Sequence, residues 1–315
     1  MRHGIVILPD SPWSEAARRW RRAEQLGFDH AWTFDHLMWR TLREHTWFSA
    51  IPTLTAAAGV TRRIRLGTLV ASPNIRHPLT FAKEVMTLDD ISGGRVVCGI
   101  GAGAYGFDAE VFGDSPLPVG ERHARFKEFT ELTDLLLRQS ETDYSGAYYR
   151  ARGAHMAPGC IQRPRVPLAV AAGGPQGMRL AARLAESWIT VGLPGLGETA
   201  RFDEASGLLQ DQAKRLDEAC GAEGRDPRSL GRTVVAGAQL GGVLSSRDAF
   251  ETARGMFEDL GFTDMVVFWP RHEEPFQGTE DVLDDIAPLL GAAPDDPEGS
   301  GGDPGSRVRP AGGQR

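Results

Sequence analysis

The sequence predicts a single (β/α)8 TIM barrel. Short apolar runs alternate with helix-forming stretches from residue 5 to residue 290, the pattern of a parallel sheet wrapped by helices. The alternation gives about eight β-then-α units, the count that closes a barrel. A chain of 315 residues also has the length of one such barrel with insertions. A doubly wound open sheet, the competing arrangement, is usually complete in fewer units.

Each element has a local reason. Residues 5–8 are the first apolar run. Ser11 and Pro12 then supply a cap and a first-turn proline, Ala16, Trp20 and Ala23 share one helical face, and Gly27 stops the helix. Residues 30–34 read as a strand and 48–58 as a helix. The run 64–70 is apolar and β-branched, and Pro73 ends its ladder because proline has no N–H to donate. Pro78 suits the first turn of the next helix, whose stripe of Leu79, Ala82, Val85 and Met86 ends at Gly93-Gly94. Residues 96–100 follow as a strand. No helix of useful length is expected between Phe107 and Gly120, where Asp114, Pro116 and Pro118 fall. Beyond that loop, Phe126, Phe129, Leu132 and Leu136 share an inward face.

Residues 144–165 carry turn residues without a clear period. They are expected to be an inserted hairpin or loop, so the insertion follows strand four and helix four. Strands at 168–172, 188–191, 233–238 and 265–269, with helices at 175–185, 198–220, 248–260 and 282–290, complete the series. The tail 291–315 is rich in Pro, Gly and Asp and cannot bury enough surface to offset ordering entropy. The expected organisation is one barrel domain over 1–290 and a disordered tail.

Composition narrows the partners. A hydrophobic fraction of 41% with 24% charged residues is that of a soluble globular protein. The net charge of −7 argues against nucleic acid and against anionic membrane surfaces. No apolar run nears the roughly 20 residues of a membrane span. Cys98, Cys160 and Cys220 form no Cys-x-x-Cys pair and no histidine pair has ligand spacing, so no disulfide framework and no metal site is expected. The protein is expected to be cytoplasmic and to act on a small molecule; a homodimer is compatible with the sequence.

Four strand ends carry candidate chemistry, because barrel strands point their last side chains into the active-site mouth. The first holds Asp35 and His36. Histidine moves protons near neutral pH, whereas a capping Asp beside a packed His is the structural alternative, and spacing leaves both open. The second is the strand 64–70, opening into Ser72, Pro73 and Arg76-His77-Pro78. The third is Gly101-Ala102-Gly103, which with Gly106 satisfies G-x-G-x-x-G. A dinucleotide site needs a helix to begin inside that motif, and the loop forbids one. The glycines are better read as close backbone approach to a flat ring. The fourth is Gly173-Gly174-Pro175-Gln176, a strand-to-helix turn offering free N–H groups as a phosphate seat, with a plain tight turn as the alternative. Trp39, Trp47, Tyr105, Phe107 and Trp269 lie near strand ends, as pocket lining or as core.

Taken together, Gly67-Thr68-Leu69-Val70 with Pro73 and Arg76-His77-Pro78, the Asp35-His36 pair and the two glycine turns resemble the luciferase-like family of flavin- and deazaflavin-dependent oxidoreductases. The resemblance spans roughly residues 4–290. It implies a hydride-transferring oxidoreductase with coenzyme F420 in the barrel mouth. FMN is the alternative cofactor, in a monooxygenase on the same barrel, and a flavin-binding protein without turnover ranks below both. Asp-His at this strand end is typical of F420 members and Glu-His common in FMN members. It implies His36 as the proton-handling residue, with Asp35 positioning it or bonding the cofactor. It further implies a cis peptide at Leu69–Val70 behind the ring, Ser72 near the ribityl or phosphate groups, Gly101, Ala102 and Gly103 along the ring, and the phosphate at Gly173, Gly174, Pro175 and Gln176. The family's sugar-phosphate dehydrogenases carry a Glu where this chain has Ala104, and their Trp is matched only approximately by Trp39. An apolar or aromatic substrate is therefore expected.

Overall fold

Eight parallel strands close a barrel in the computed structural model, which describes residues 1–103, 107–113, 115–190, 202–237, 240 and 242–291. In chain order these strands are β1 (Arg2–Val6), β2 (His30–Thr33), β3 (Arg65–Thr68), β4 (Val96–Gly101), β7 (Leu168–Ala171), β8 (Ser187–Ile189), β9 (Gly231–Val235) and β10 (Asp264–Phe268). β10 returns to β1 in register, with Arg2 opposite Asp264 and Val6 opposite Phe268, so no edge is left to satisfy. Helices α1 (Trp13–Leu26), α2 (Ala50–Val60), α3 (Pro78–Ser92), α5 (Val119–Arg138), α6 (Pro175–Leu184), α7 (Phe202–Ala222), α8 (Arg247–Asp259) and α9 (Asp281–Ile286) wrap it. Among the described residues no helix is long and apolar enough to cross a membrane.

Two remaining strands, β5 (Glu141–Ser145) and β6 (Arg150–His155), form an antiparallel hairpin between α5 and β7. The buried Glu128 of α5 anchors it by accepting the backbone N–H groups of Ala147, Tyr148 and Tyr149 at 2.7–3.1 Å. Arg165 brings the chain back to the barrel. It is buried between Asp134 (2.6 Å) and Glu186 (2.7 Å), and Glu186 also accepts from Leu168 N.

Most expected elements lie within two or three residues of their observed bounds. β3 is the informative difference. Its ladder stops at Thr68 rather than Val70, and the next peptide bond, Leu69–Val70, is cis. Bridging resumes only beyond, where Ala71 N donates to Gly99 O (2.8 Å) and Gly101 N to Ala71 O (2.9 Å). The loop after β4 also differs: residues 107–110 form the one-turn helix α4 (Phe107–Glu110), and α5 starts at Val119, two residues before the expected Glu121. Tyr105, Gly106, the side chain of Phe107 and the tail from residue 292 lie outside the described residues.

Strand residues alternate between two cores, as a period of two dictates. Ile5, Leu66, Ile100, Leu168 and Val170 face the helices. Val6, Leu8, Trp32, Phe34, Leu69, Ala169, Ala171, Ile189, Val266 and Phe268 fill the barrel. The filling is lopsided, with aromatics on β2, its extension and β10 and only alanines on β7. At the barrel floor Trp32 Nε1 donates to His30 Nδ1 (2.6 Å), so the His30 Nε2–H faces Asp264 (3.0 Å), which Arg2 also reaches at 2.8 Å. Burial works to raise the Asp264 carboxyl, but the bonds from His30 and Arg2 hold it well below the usual carboxylate range.

A second floor histidine sets a pH dependence. His3 is buried, its ring lies 5.6 Å from that of Phe250, and its Nε2 has no hydrogen-bond partner among the described residues. Burial pushes its imidazole down to about 4. The unfolded chain, with an ordinary histidine near 6.5, takes up this proton first, so stability falls as pH drops from about 6.5 towards 4. The loss is at most about 3 kcal/mol. Chemical denaturation of wild type and His3→Leu at pH 7 and pH 4.5 tests this; an identical loss in both would exclude His3 as its source.

Candidate active site at the barrel rim

The C-terminal end of β2 delivers Phe34, Asp35 and His36 to the rim. Asp35 is only 2% exposed, and Arg76 meets it with two parallel bonds, Nη2 to Oδ1 at 2.7 Å and Nε to Oδ2 at 2.9 Å. Burial alone would lower the Arg76 pKa, and the Asp35 carboxylate reverses the shift. The Arg76 backbone is itself fixed by its N–H to Ser72 O at 3.0 Å. This fork ties the end of β2 to the loop after β3, so Arg76 organises that loop.

Asp35 does not hold His36, which removes the first of the two parts the resemblance implied for it. The partner is Asp108 on α4, whose Oδ2 meets His36 Nδ1 while Oδ1 accepts Leu37 N–H at 3.0 Å. A carboxylate accepts hydrogen bonds, so Nδ1 carries the proton and Nε2 is left as the basic nitrogen. Trp47 Nε1 donates to His36 O at 2.9 Å and fixes the backbone. The His36 side chain is 29% exposed, so it is both held and reachable. Sequence reasoning missed Asp108 because four helical residues in a Pro- and Gly-rich loop show no period.

Along the rim, Leu69 is buried in the inner core, Val70 is half-buried and Ser72 is buried in the turn. Gly101 and Gly103, expected to leave room for a flat ring, are hemmed in by side chains of the protein itself. A Cβ on Gly101 would sit 2.7 Å from Val70 Cγ2, and one on Gly103, at φ +74°, would sit 2.5 Å from Asn74 Nδ2. These glycines admit the protein's own side chains; Ala102 and Gly103 remain half-buried at the rim. Gly174 behaves differently. It is exposed, caps α6, and a Cβ there would meet nothing within 4 Å. Pro175 occupies the first turn, where the amides of Gln176 and Gly177 have no acceptor within the helix. That is an open cradle of donors at a positive helix end, which fits an anion.

Across the mouth stands an aromatic wall. Phe34 meets Trp39 (5.2 Å) and Phe268 (5.8 Å) edge-on, and Phe268 and Phe276 stack at 3.7 Å. Trp47 packs against the same cluster. Phe34, Phe268 and Phe276 were not singled out in the sequence; an aromatic at a strand end looks like core. Trp269, which was, faces outward and donates to Glu280 at 3.0 Å.

A family model described as luciferase-like monooxygenase matches residues 1–225. The chain belongs to this family. Among similar proteins, the F420-dependent glucose-6-phosphate dehydrogenase of Beutenbergia cavernae is 41% identical over 172 residues, 53% of this chain and 49% of that protein. This luciferase-like chain thus spans about half the length of the curated relatives it matches. An F420-dependent secondary alcohol dehydrogenase, solved with an F420–acetone adduct, superposes with a TM-score of 0.76 over 93% of this chain and 99% of that one, at 18% identity. A monooxygenase of Streptomyces bottropensis superposes at 0.73 over 92% and 98%, at 22% identity. At such identities the luciferase-like barrel itself is what the structures share.

Proposed function

We propose that this luciferase-like protein is an oxidoreductase that passes hydride between coenzyme F420 and a small, largely apolar organic substrate. One juxtaposition carries the reading: His36, with Nε2 free for proton transfer, stands at the rim between a small-residue cradle and an aromatic wall. The name of the F420-dependent relative at 41% identity supports the cofactor choice. The barrel over residues 1–290 carries the activity, and the three free, buried cysteines suit a reducing cytoplasm.

The cradle fits the cofactor. Gly173, Gly174, Pro175 and Gln176 would take its phosphate, and Leu69, Val70, Ser72, Gly101, Ala102 and Gly103 its ring and ribityl chain. When bound, the deazaflavin supplies hydride transfer. Asp35, through Arg76, keeps the β2 and β3 ends at fixed separation. Asp108 fixes the tautomer of His36, so Nε2 takes the proton from a substrate hydroxyl during oxidation or gives one back during reduction. Phe34, Trp39, Phe268 and Phe276 exclude water and favour an apolar substrate.

A second reading, an FMN-dependent monooxygenase, is favoured by the description of the family and by the Streptomyces bottropensis neighbour. Titrating the protein with F420 and with FMN, followed by the absorbance and fluorescence of each, separates the two. F420 is expected to bind at least tenfold more tightly, a difference of about 1.4 kcal/mol. Tight FMN binding with no uptake of F420 would replace the first reading with the second.

A further inference from the structure

Between β10 and α9 the run His272-Glu273-Glu274-Pro275-Phe276 shows no apolar period, yet it delivers a ring to the barrel mouth. Arg271 folds it. Its Nη1 donates to the carbonyls of Glu273, Glu274 and Pro275 at 3.1–3.3 Å, and its Nε to Asp10 at 2.8 Å. Asp10 also meets Arg19 of α1 at 3.1 Å, so the loop is tied to the segment after β1. The Arg271 N–H donates to Phe276 O (3.0 Å) and the Gly278 N–H to Arg271 O (2.9 Å), which closes the loop on itself.

Phe276 stands out at the end of this loop. Its φ is +69°, and among the described non-glycine residues only Arg40 joins it at positive φ. Both belong to the aromatic wall: the Arg40 guanidinium lies over Trp39 at 5.4 Å, and Trp39 stacks on Phe276 at 6.1 Å. A loop that had only to turn would take glycine or asparagine here, so the ring itself calls for a reason. Its geometry supplies one. Phe276 lies 3.7 Å from Phe268 with planes 8° apart, nearer and flatter than aromatic pairs prefer. Rings at that distance are in van der Waals contact, so nothing fits between them. Gly237 shows how fully the space is used, because a Cβ there would lie 3.3 Å from Phe268 Cε2 and 3.9 Å from Phe276 Cε1. The four rings close a circuit, Phe34 to Trp39 to Phe276 to Phe268 and back, and Phe34 lies 5.8 Å from the His36 ring.

We propose that Phe276 determines which substrates this site admits. Its ring takes the face of Phe268 that a planar substrate would use, so compact aliphatic molecules enter and aryl ones are shut out. Arg271 acts through it as a positioning residue, holding the loop that keeps the ring in place. The proposal rests on the oxidoreductase reading above and narrows its substrate class.

The test is NMR titration of the full chain, without added cofactor, by 2-butanol and 1-phenylethanol, which share a hydroxyethyl group and differ in ethyl against phenyl. The readout is the ratio of the two affinities, which a merely loosened fold leaves alone. Wild type is expected to favour 2-butanol. Phe276→Gly, which removes the ring and suits the left-handed backbone, shifts the ratio about tenfold towards 1-phenylethanol. Phe276→Tyr keeps the ring and with it the wild-type ratio, whereas Arg271→Gln shifts the ratio towards 1-phenylethanol by about threefold. A wild type that favours 1-phenylethanol or binds neither probe would overturn the proposal. So would a Phe276→Gly ratio within about twofold of wild type, or a Phe276→Tyr ratio moved as far as that of Phe276→Gly. An unmoved ratio in Arg271→Gln would remove Arg271 from it. No arm involves the deazaflavin, so failure here is distinct from failure of the cofactor titration.

Discussion

His36→Ala is expected to lower turnover by about 10²–10⁴-fold, the range for a lost general acid–base group, with cofactor affinity nearly unchanged. The expectation rests on Nε2 being the nitrogen left free once Asp108 occupies Nδ1. Asp108 is a positioning residue in this scheme, so Asp108→Ala should cost less than His36→Ala. Asp108→Asn, whose amide oxygen still accepts from Nδ1–H, should recover part of that loss. Steady-state kinetics with a fluorescence titration of cofactor on each variant checks both points. Unchanged turnover in His36→Ala would remove the residue from the chemistry, and equal losses in Asp108→Ala and Asp108→Asn would remove the tautomer from its explanation.

The second large effect concerns stability. Arg76→Met leaves the Asp35 carboxylate buried without its cation, and is expected to destabilise the fold by about 3–5 kcal/mol. The double variant Asp35→Leu/Arg76→Met removes the stranded charge and should be markedly more stable than the single one, because the attraction of a buried pair roughly offsets its own desolvation. Urea denaturation of the two variants and wild type measures this. A single variant within about 1 kcal/mol of wild type would mean that water or another donor satisfies Asp35 when Arg76 is gone.

Both effects arise at the end of β2, a segment whose importance was legible in the sequence and whose wiring was not. Asp35-His36 stands at the expected strand end, and the Leu69–Val70 turn is where the motif put it. Yet the neighbour in sequence, Asp35, is engaged by a residue 41 positions away, and His36 by one 72 positions away. The glycine turns show the same division. Gly101 and Gly103 were visible as positions that exclude a side chain, while the atoms they make room for, Val70 Cγ2 and Asn74 Nδ2, come from the loop after another strand.

What the sequence determined by itself follows from local physics. Apolar runs of strand length, proline and glycine at helix ends and a period of 3.6 between them are set by backbone sterics and side-chain spacing, so the eight-fold alternation and its strand ends can be read without coordinates. Closure of the barrel, the pairing of Asp35 with Arg76 and of His36 with Asp108, and the aromatic wall were decided only by the tertiary structure. Each joins side chains from separate β-then-α units, and a contact across the mouth of a closed cylinder depends on shear and packing that leave no period in the chain.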